Sequence, residues 1–255
     1  MVWKQHFTTG ISKVSQVTRG WKSPRRGLRI LMYHAVGTDI PDDSSNIFNI
    51  QPDLFKTHIE ALVNNSNINL VPLSAPPKNH NTTDVAITFD DGYRDNLYVA
   101  APLLCELKIP FTVYVTTDYI GSNNHLYLTK GDVKALSELP GVTIGSHGKT
   151  HTKLTTCSHS VLKDELFTGK RYLEDLLGQK VVSLSYPHGD VDQRVRDVAM
   201  DAGYELGTTS RVDINKANQD PLLLNRVHIL SYDTSRTLKM KTEGDWDWYR
   251  WRDRF

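Results

Sequence analysis

The sequence predicts an α/β domain in which helices cover a mainly parallel β-sheet. Short β-rich runs alternate with segments of helical period, and no internal repeat interrupts this alternation. The 255 residues, of which 39% are hydrophobic, suit one domain with a single sizeable core. These observations leave two arrangements open, a doubly wound open sheet and a closed barrel.

Seven apolar runs have the length and composition of β-strands. They occupy residues 28–33, 85–89, 111–115, 142–144, 181–185, 205–208 and 226–230. A shorter extended stretch, residues 69–73, interrupts the loop predicted over residues 64–83, which is rich in Asn and Pro. We interpret the similarly polar residues 36–50 as a loop above the sheet.

Apolar residues recur at helical spacing in three segments between these runs. Pro52 precedes the first segment, and Gly178 and Gly203 close the second and third, as expected at helix ends. The apolar positions are Phe55, Ile59, Leu62 and Val63, then Leu162, Leu166, Leu173 and Leu177, then Val191, Val195, Val198 and Ala202.

Charge is balanced overall but uneven along the chain. Lys and Arg total 30 against 29 Asp and Glu, so nothing predicts a nucleic-acid partner. Residues 1–26 hold six basic and no acidic residues, and their apolar positions follow helical spacing. We divide the chain into a basic amphipathic segment (1–27), a central domain (28–230) and an aromatic tail (231–255).

The two ends have alternative interpretations. Residues 1–26 form either a membrane-surface helix or a helix that closes the bottom of the barrel. The tail, with three of the five tryptophans, either stacks sugars or packs against the amino-terminal segment. Because only two cysteines and no apolar leader occur, we expect a cytoplasmic protein, peripheral at the inner face of the membrane if the surface-helix interpretation holds.

Two carboxylates end the second predicted strand. Asp90 and Asp91 follow Phe89, and Gly92 then lets the chain turn sharply, which brings both carboxylates toward one cavity. Two adjacent like charges are costly unless a cation is shared. The alternative is a solvated Asp-Asp-Gly turn without a catalytic role.

Two histidines follow the fourth predicted strand. His147 and His151 are four residues apart, a spacing that places both imidazoles on one side of a helical turn. A chance pair of structural histidines is the alternative. Since both clusters follow strands, one carboxylate and two imidazoles predict a divalent metal site with open positions, and the other carboxylate is left to act as a base.

Two further clusters end later strands. In residues 185–190 a Pro-x-Gly turn can aim backbone N–H groups at an oxyanion, or Asp190 can simply cap the next helix. Arg226 and His228 lie on one side of the last strand, where Arg226 can orient a carboxylate and His228 can protonate a leaving amine. A buried structural Arg-His pair is the alternative.

Three of these clusters resemble motifs of the polysaccharide deacetylase family, carbohydrate esterase family four. They are residues 88–92 (Thr-Phe-Asp-Asp-Gly), 146–151 (Ser-His-Gly-Lys-Thr-His) and 186–189 (Tyr-Pro-His-Gly), and residues 30–36 resemble the first strand of many bacterial members. The resemblance spans roughly residues 28–230 and is most specific in the first two motifs. It implies a distorted (β/α) barrel of about seven parallel strands in a single domain.

The resemblance also implies a cofactor, a substrate and a reaction. Asp90 resembles the family's catalytic base, while Asp91, His147 and His151 resemble its metal ligands. The metal is commonly zinc, with cobalt, nickel or manganese as alternatives. Water activated by the metal and deprotonated by Asp90 would attack the acetamide carbonyl of an N-acetylated saccharide.

Further residues take roles from the same resemblance. Tyr186, Pro187, His188 and Gly189 would provide oxyanion and substrate contacts, and His228 falls where the family's histidine acid is expected. His34, at the end of the first strand, would either line the cavity or serve the structure.

Two departures from the family pattern affect these roles. Ser185 stands where the third motif usually begins with an arginine that braces the base, as in a subset with a Tyr-Pro-x-Gly form. Arg226 is the candidate to supply that bracing. The acidic-tryptophan motif that tunes the histidine acid is not recognisable, so His228 is assigned by position alone.

Two rival functions use the same residues. A metal-assisted amidase would act on a non-sugar amide or a cyclic ureide. A catalytically silent glycan-binding or scaffold protein would have no need of Asp90 as a spare base beside three metal ligands.

We expect the loops over residues 36–50 and 116–129 to shape the pocket.

Overall fold

The computed structural model describes residues 26–40, 43, 45–74, 82–122 and 125–248. The prediction of a membrane-surface helix concerns residues 1–26, which apart from Arg26 lie outside these ranges. Within the described ranges, no helix is both long enough and apolar enough to cross a membrane.

Strands form where the sequence predicts them. The described strands are Leu28–Tyr33 (β1), Ala35–Val36 (β2), Asn49–Ile50 (β3), Ile68–Leu70 (β4), Thr83–Phe89 (β5), Phe111–Val115 (β6), Val142–Ser146 (β7), Ser183–Ser185 (β8), Leu206–Thr208 (β9) and Val227–His228 (β10). All seven predicted strands are confirmed, and β4 overlaps the amino-terminal part of the extended stretch predicted over residues 69–73. The short pair β2 and β3 was not predicted, because it lies in the polar region interpreted as a loop.

The main sheet curls into a distorted (β/α) barrel. Its strand order is β10-β1-β5-β6-β7-β8-β9, with β4 added on β5, and all of these pairs are parallel. Backbone bonds then join β9 to the chain that enters β10: Leu224 N–H donates to Gly207 O (2.8 Å) and Thr209 N–H to Leu224 O (2.8 Å). These bonds connect the two ends of the strand order, so the barrel is confirmed and the open sheet is excluded.

Helices connect the strands and cover the barrel. They are Pro52–Val63 (α1), Ala101–Glu106 (α2), Lys130–Ser137 (α3), His159–Lys163 (α4), Gly169–Leu177 (α5), Gln193–Asp201 (α6) and Ser235–Glu243 (α7). Single π-helical turns, Asn96–Ala100 and Asp164–Thr168, precede α2 and α5. The three helices predicted from apolar spacing are confirmed as α1, the α4–α5 segment and α6.

One predicted helix cap was wrong. The residue that caps α6 is Asp192, whose side chain accepts a hydrogen bond from Val195 N–H at 2.8 Å. The Asp190 carboxylate instead accepts bonds from the amide (2.9 Å) and hydroxyl (2.7 Å) of Thr155. Asp190 therefore ties the third motif to the loop that follows the histidine cluster.

Strand alternation separates two buried layers. In β1, Leu31 and Tyr33 belong to the large core between sheet and helices, whereas Leu28 and Ile30 join Ala86 and Leu224 in a small separate cluster. Met32, two residues beyond Ile30 on the same face, lines a cavity. The barrel interior thus has an apolar floor, and the cavity opens above it at the carboxyl ends of the strands.

The described part of the aromatic tail packs on the barrel. Leu238 and Met240 of α7 are buried, and Asp247 forms a two-pronged ion pair with Arg29 at 2.8 and 3.1 Å. Arg29 is the second residue of β1, so this contact lies at the amino ends of the strands. The tail up to Trp248 therefore lies at the end of the barrel opposite the cavity, which argues against this part stacking a sugar in the cavity.

Candidate active site

A cavity of about 630 Å³ lies at the carboxyl ends of the barrel strands. Nine of the eleven residues that the sequence singled out for the site line it: His34, Asp90, Asp91, His147, His151, His188, Gly189, Arg226 and His228. The other two, Tyr186 and Pro187, are buried and do not reach its wall. Residues from four strand ends and β10 thus meet in one space, as expected for a parallel barrel.

Asp90 is held by a buried hydrogen-bonded network. Arg226 donates from Nη1 to Asp90 Oδ1 and from Nη2 to Asp90 Oδ2, each at 2.7 Å. The Ser185 hydroxyl donates to Oδ2 at 3.2 Å and accepts from Arg226 Nη2 at 2.8 Å. The small Ser185 side chain leaves room for the guanidinium of Arg226, the residue directly before β10.

This network controls the charge of Asp90. Burial raises the pKa of the carboxyl group, but the charge and hydrogen bonds of Arg226 outweigh burial, and the pKa is lowered to about 2. Both Asp90 and Arg226 are almost fully buried, so little solvent weakens the pair. Asp90 is therefore ionised near neutral pH.

Asp91, His147 and His151 converge on one point. The Nε2 atoms of His147 and His151 lie 3.3 and 3.2 Å from Asp91 Oδ1, and one potential ligand atom from each residue lies within 4.8 Å of the others. Burial raises the pKa of Asp91, but the two imidazoles outweigh burial and hold it well below its usual range. The cluster therefore contains an anion facing two imidazole nitrogens.

The donor set fits a divalent metal. Asp91 Oδ1 is buried and accepts no well-formed hydrogen bond from any described residue, and the two imidazole Nε2 atoms face it. His147 Nδ1 lies 2.8 Å from Ser185 O and must carry the proton of that bond, because a carbonyl cannot donate. The Nε2 lone pair of His147 is then available to a cation, an arrangement common around metal-bound histidines.

The histidine cluster is a loop rather than a helical turn, so that part of the prediction was wrong. Residues 147–152 have no helical hydrogen bonds, and both Gly148 (φ 74°) and His151 (φ 65°) adopt left-handed backbone conformations. Asp91 does so as well, with φ 72°. Such conformations cost about 1–3 kcal/mol each in residues other than glycine and concentrate at functional sites.

The third motif contributes backbone more than side chains. The Tyr186 hydroxyl donates to Leu222 O at 3.0 Å, and Pro187 packs against Gly148 beneath the loop. The amides of Tyr186 and Gly189 donate to Thr208 O (3.0 Å) and Tyr186 O (2.8 Å). His188 has a left-handed backbone (φ 59°) and lines the cavity, and its Nε2 lies 3.1 Å from His151 O.

Two further histidines border the cavity. Burial, helped by His34 and Arg226, lowers the pKa of His228 to about 3, and burial lowers the pKa of His34 as well. His228 Nε2 lies 3.3 Å from Ser210 O. Both rings are therefore neutral near pH 7 in the free protein, and either must gain a proton during a reaction before it can act as an acid.

Three tyrosines form a cavity wall that was not predicted residue by residue. Tyr127 stacks on Tyr93 (ring centroids 5.1 Å apart) and on Tyr119 (4.3 Å). Leu128 N–H donates to Gly92 O at 3.0 Å, which ties this loop to the Asp90-Asp91 turn. The expectation that residues 36–50 and 116–129 shape the pocket named the right segments, and the position of Tyr93 directly after Gly92 was the overlooked signal.

Comparisons with known proteins agree with this geometry. The profile of the polysaccharide deacetylase family matches residues 78–207, about half of the chain. The chain is 27% identical over 227 residues to YxkH of Bacillus subtilis (strain 168), a protein provisionally named as a polysaccharide deacetylase, with 86% of this chain and 78% of that protein covered.

Two solved structures share the fold. The Streptococcus pyogenes deacetylase PplD, in complex with acetate, superposes with a TM-score of 0.74 at 26% identity, covering 86% of this chain and 99% of that one. IcaB from Ammonifex degensii superposes with a TM-score of 0.71 at 19% identity, covering 86% and 98%. With the family profile, the barrel and the clustered motifs in agreement, the chain belongs to the polysaccharide deacetylase family.

Proposed function

We propose that this protein is a metal-dependent hydrolase that removes the acetyl group from an N-acetylated amino sugar in a glycan or glycan precursor. The observation that carries the proposal is one ionised carboxylate beside three convergent metal-ligand atoms. His147 Nε2 lies 3.9 Å from Asp90 Oδ2 and 3.3 Å from Asp91 Oδ1, so the base and the cation site share one cavity.

Asp91, His147 and His151 would hold the cation. One carboxylate oxygen and two imidazole nitrogens suit zinc, with cobalt, nickel and manganese as alternatives, and they leave positions open for water and substrate. When bound, a divalent metal polarises the acetamide carbonyl and makes water more acidic.

Asp90 would accept the proton of the attacking water. Arg226 and Ser185 fix both carboxylate oxygens, so the base is ionised and oriented before substrate arrives. The water oxygen forms a bond to the acetamide carbon and the C–N bond then breaks. The products are acetate and a free amine, and the amine nitrogen gains a proton.

The carbonyl oxygen and the leaving amine need partners of their own. The N–H of His188 would donate to the oxyanion as negative charge develops. His228 would deliver a proton to the amine nitrogen, and because its ring is neutral in the free protein, it must first take up that proton from Asp90 or from water. His34, on the same wall of the cavity, is the alternative donor.

The cavity suits a saccharide. The wall formed by Tyr93, Tyr119 and Tyr127 offers apolar ring surface with hydroxyl groups at its edge, which matches the mixed character of a pyranose. The related PplD deacetylase was solved with acetate, the acid that hydrolysis of an acetamide releases.

The central test combines metal content with acetate release from N-acetylated chitooligosaccharides. We expect the wild type to bind about one divalent metal and to release acetate. Asp90→Asn should keep the metal and lose turnover, whereas His147→Ala should lose both.

A wild type without divalent metal would contradict the metal-dependent mechanism. Ring opening of cyclic ureides in place of acetate release would instead indicate the related amidase activity, and no turnover with retained glycan binding would indicate a silent binding protein.

A second proposal concerns location. We infer from the six basic residues among residues 1–26 that this segment attaches the enzyme to the anionic inner face of the membrane, where lipid-linked sugars are assembled. Vesicle sedimentation with and without anionic lipid tests this. Binding that persists after residues 1–26 are deleted would contradict it.

A further inference from the structure

The loop between the two metal-binding histidines has no regular secondary structure of its own. His147 is fixed at the end of β7, since its N–H donates to Val115 O (2.9 Å) and its ring donates to Ser185 O (2.8 Å). His151 follows three loop residues and has a left-handed backbone (φ 65°). His188 Nε2 lies 3.1 Å from His151 O, and contacts to residues 148–150 determine the rest of the path that brings the His151 ring toward His147.

Backbone N–H groups of Thr117 and Asp118 donate to Gly148 O (3.3 Å) and Lys149 O (2.9 Å), and Glu165 makes the side-chain contacts to this loop. Its Oε2 accepts hydrogen bonds from the backbone N–H groups of Lys149 (2.9 Å) and Thr150 (3.0 Å), and its Oε1 accepts from the Thr150 hydroxyl (2.6 Å). The Glu165 residue is only 3% exposed. Hydrogen bonds to an ionised acceptor are stronger than neutral ones, so three of them from two consecutive loop residues restrain the backbone strongly.

The supporting helix approaches the loop closely. Glu165 lies in the π-helical turn Asp164–Thr168, and Gly169 follows one turn later. A Cβ atom on Gly169 would lie 3.1 Å from the Gly148 carbonyl carbon, and one on Gly148 would lie 3.2 Å from Glu165 Oε2. The π-helical turn and the two glycines allow the carboxylate to reach the loop amides directly.

We propose that Glu165 is a positioning residue that sets the affinity of the metal site through His151. It touches neither the substrate cavity nor the ligand atoms, so it acts only through residues 149 and 150. The inference rests on the metal site of the proposed function. Without Glu165 the loop samples more conformations, and cation binding must then bear the cost of ordering it.

The neighbouring Asp164 is a matched control. It contacts the same loop residue through an exposed ion pair from its Oδ2 to Lys149 Nζ (2.7 Å), but it makes no bond to the loop backbone. An exposed pair of this kind contributes little, so Asp164→Ala should leave metal affinity unchanged. This comparison separates backbone anchoring from the charge of the region.

The test is a zinc affinity titration against a competing chelator, without substrate, at a temperature where circular dichroism shows every variant folded. Glu165→Ala should weaken zinc binding by about 10- to 100-fold, the range seen when support of metal ligands is lost. Glu165→Gln should lie within a few-fold of wild type, because its carbonyl oxygen can still accept both amide protons while its amide donates to the Thr150 hydroxyl.

Several outcomes would overturn the inference. Glu165→Ala that binds zinc as tightly as wild type, while melting at a lower temperature, would show that Glu165 supports only the fold. If Glu165→Ala does not fold, Glu165→Asp keeps the charge but is one methylene too short, and unchanged affinity in that variant would be equally decisive. A wild type that binds zinc but releases no acetate would contradict the proposed function and leave the role of Glu165 standing; a wild type that binds no metal would overturn both.

Discussion

Arg226 and Asp90 form a two-pronged ion pair in the barrel, with both N–O distances at 2.7 Å. The two residues are 136 positions apart in the chain, and Arg226 comes from its last barrel strand region. The pair places a carboxylate that is ionised near neutral pH beside Asp91, His147 and His151. Its geometry, and not only its charge, is what the proposed base requires.

We expect Arg226→Lys to lower kcat by about 10²-fold with little change in metal content, because a lysine keeps the charge but cannot fix both oxygens of Asp90. Ser185→Ala removes one longer hydrogen bond to the same carboxylate (3.2 Å) and should lower kcat only a few-fold. Steady-state kinetics with metal analysis provide the check. A lysine variant with wild-type kcat would show that charge alone suffices.

Metal removal should destabilise the fold as well as abolish turnover. A ligand present at 100 times its Kd stabilises the folded state by about 2.7 kcal/mol, which for a domain of this size raises Tm by roughly 5–10 °C. Thermal melts of chelator-treated protein with and without added zinc measure this shift. His151→Ala is the control, and zinc should change its Tm little or not at all. A wild type whose Tm is unchanged by zinc would contradict the proposed metal site.

His228→Ala should lower kcat for an N-acetylated sugar by about 10²-fold, the lower end for loss of a general acid. The defect should nearly disappear with 4-nitrophenyl acetate, whose leaving group needs no proton. His34→Ala on the same wall is the matched comparison and should be milder. A larger loss of kcat in His34→Ala than in His228→Ala would indicate that His34 is the general acid.

Stability should fall as the pH drops below about 6.5, in part because of His58. The Tyr33 hydroxyl lies 3.4 Å from His58 Nδ1, and His58 Nε2 lies 2.6 Å from Asp233 O, contacts that suit a neutral ring. Burial lowers the pKa of His58, so the unfolded chain binds a proton at higher pH than the folded one. This contribution is complete above the unfolded pKa of about 6.5 and is lost as the pH falls toward the folded value.

Urea unfolding at pH 7.5 and pH 5 measures that effect. Each unmatched proton changes the free energy of unfolding by at most about 1.4 kcal/mol per pH unit. His58→Gln should be less stable than wild type at pH 7.5, but its free energy of unfolding should fall less between pH 7.5 and pH 5. An identical loss in both proteins would assign the pH dependence to other groups, such as His34 and His228.

Asp247→Asn should reduce stability without impairing catalysis. It leaves the buried Arg29 guanidinium without its ionised partner, and breaking a buried pair in this way typically costs about 3–5 kcal/mol. Because the contact lies at the opposite end of the barrel, kcat at low temperature should stay at the wild-type value. Asp164→Ala removes an exposed ion pair and should lower the free energy of unfolding by less than about 1 kcal/mol. A fall in kcat for Asp247→Asn would contradict this separation of stability and catalysis.

Much of the barrel could be predicted from local patterns. The run at residues 111–115 matches β6 at both ends, because a β-branched and aromatic stretch between turn residues has few other stable conformations. The clusters at Asp90, His147 and Tyr186 were recognisable since each directly follows such a run. Chain order along parallel strands then implied that they meet at one edge.

Other features depended on contacts between distant parts of the chain. The left-handed backbone at His151 was missed, because a four-residue histidine spacing suits a helical turn as well as this loop. The ion pair of Asp247 with Arg29 was not predicted either, because the two residues are 218 positions apart in the chain. A local sequence pattern cannot predict a contact whose second partner comes from a distant strand or helix.

The amino-acid sequence by itself determined the strands, the three motifs and the chemical types of the groups at their ends, because these follow from short-range periodicity and from residue chemistry. Only the tertiary structure decided that Arg226 binds both oxygens of Asp90, that Glu165 bonds to the histidine loop, and that three tyrosines form one wall of the cavity. Each of these depends on side chains that closure of the barrel brings together, and the free energy of such contacts is set by packing and burial that no local stretch of sequence contains.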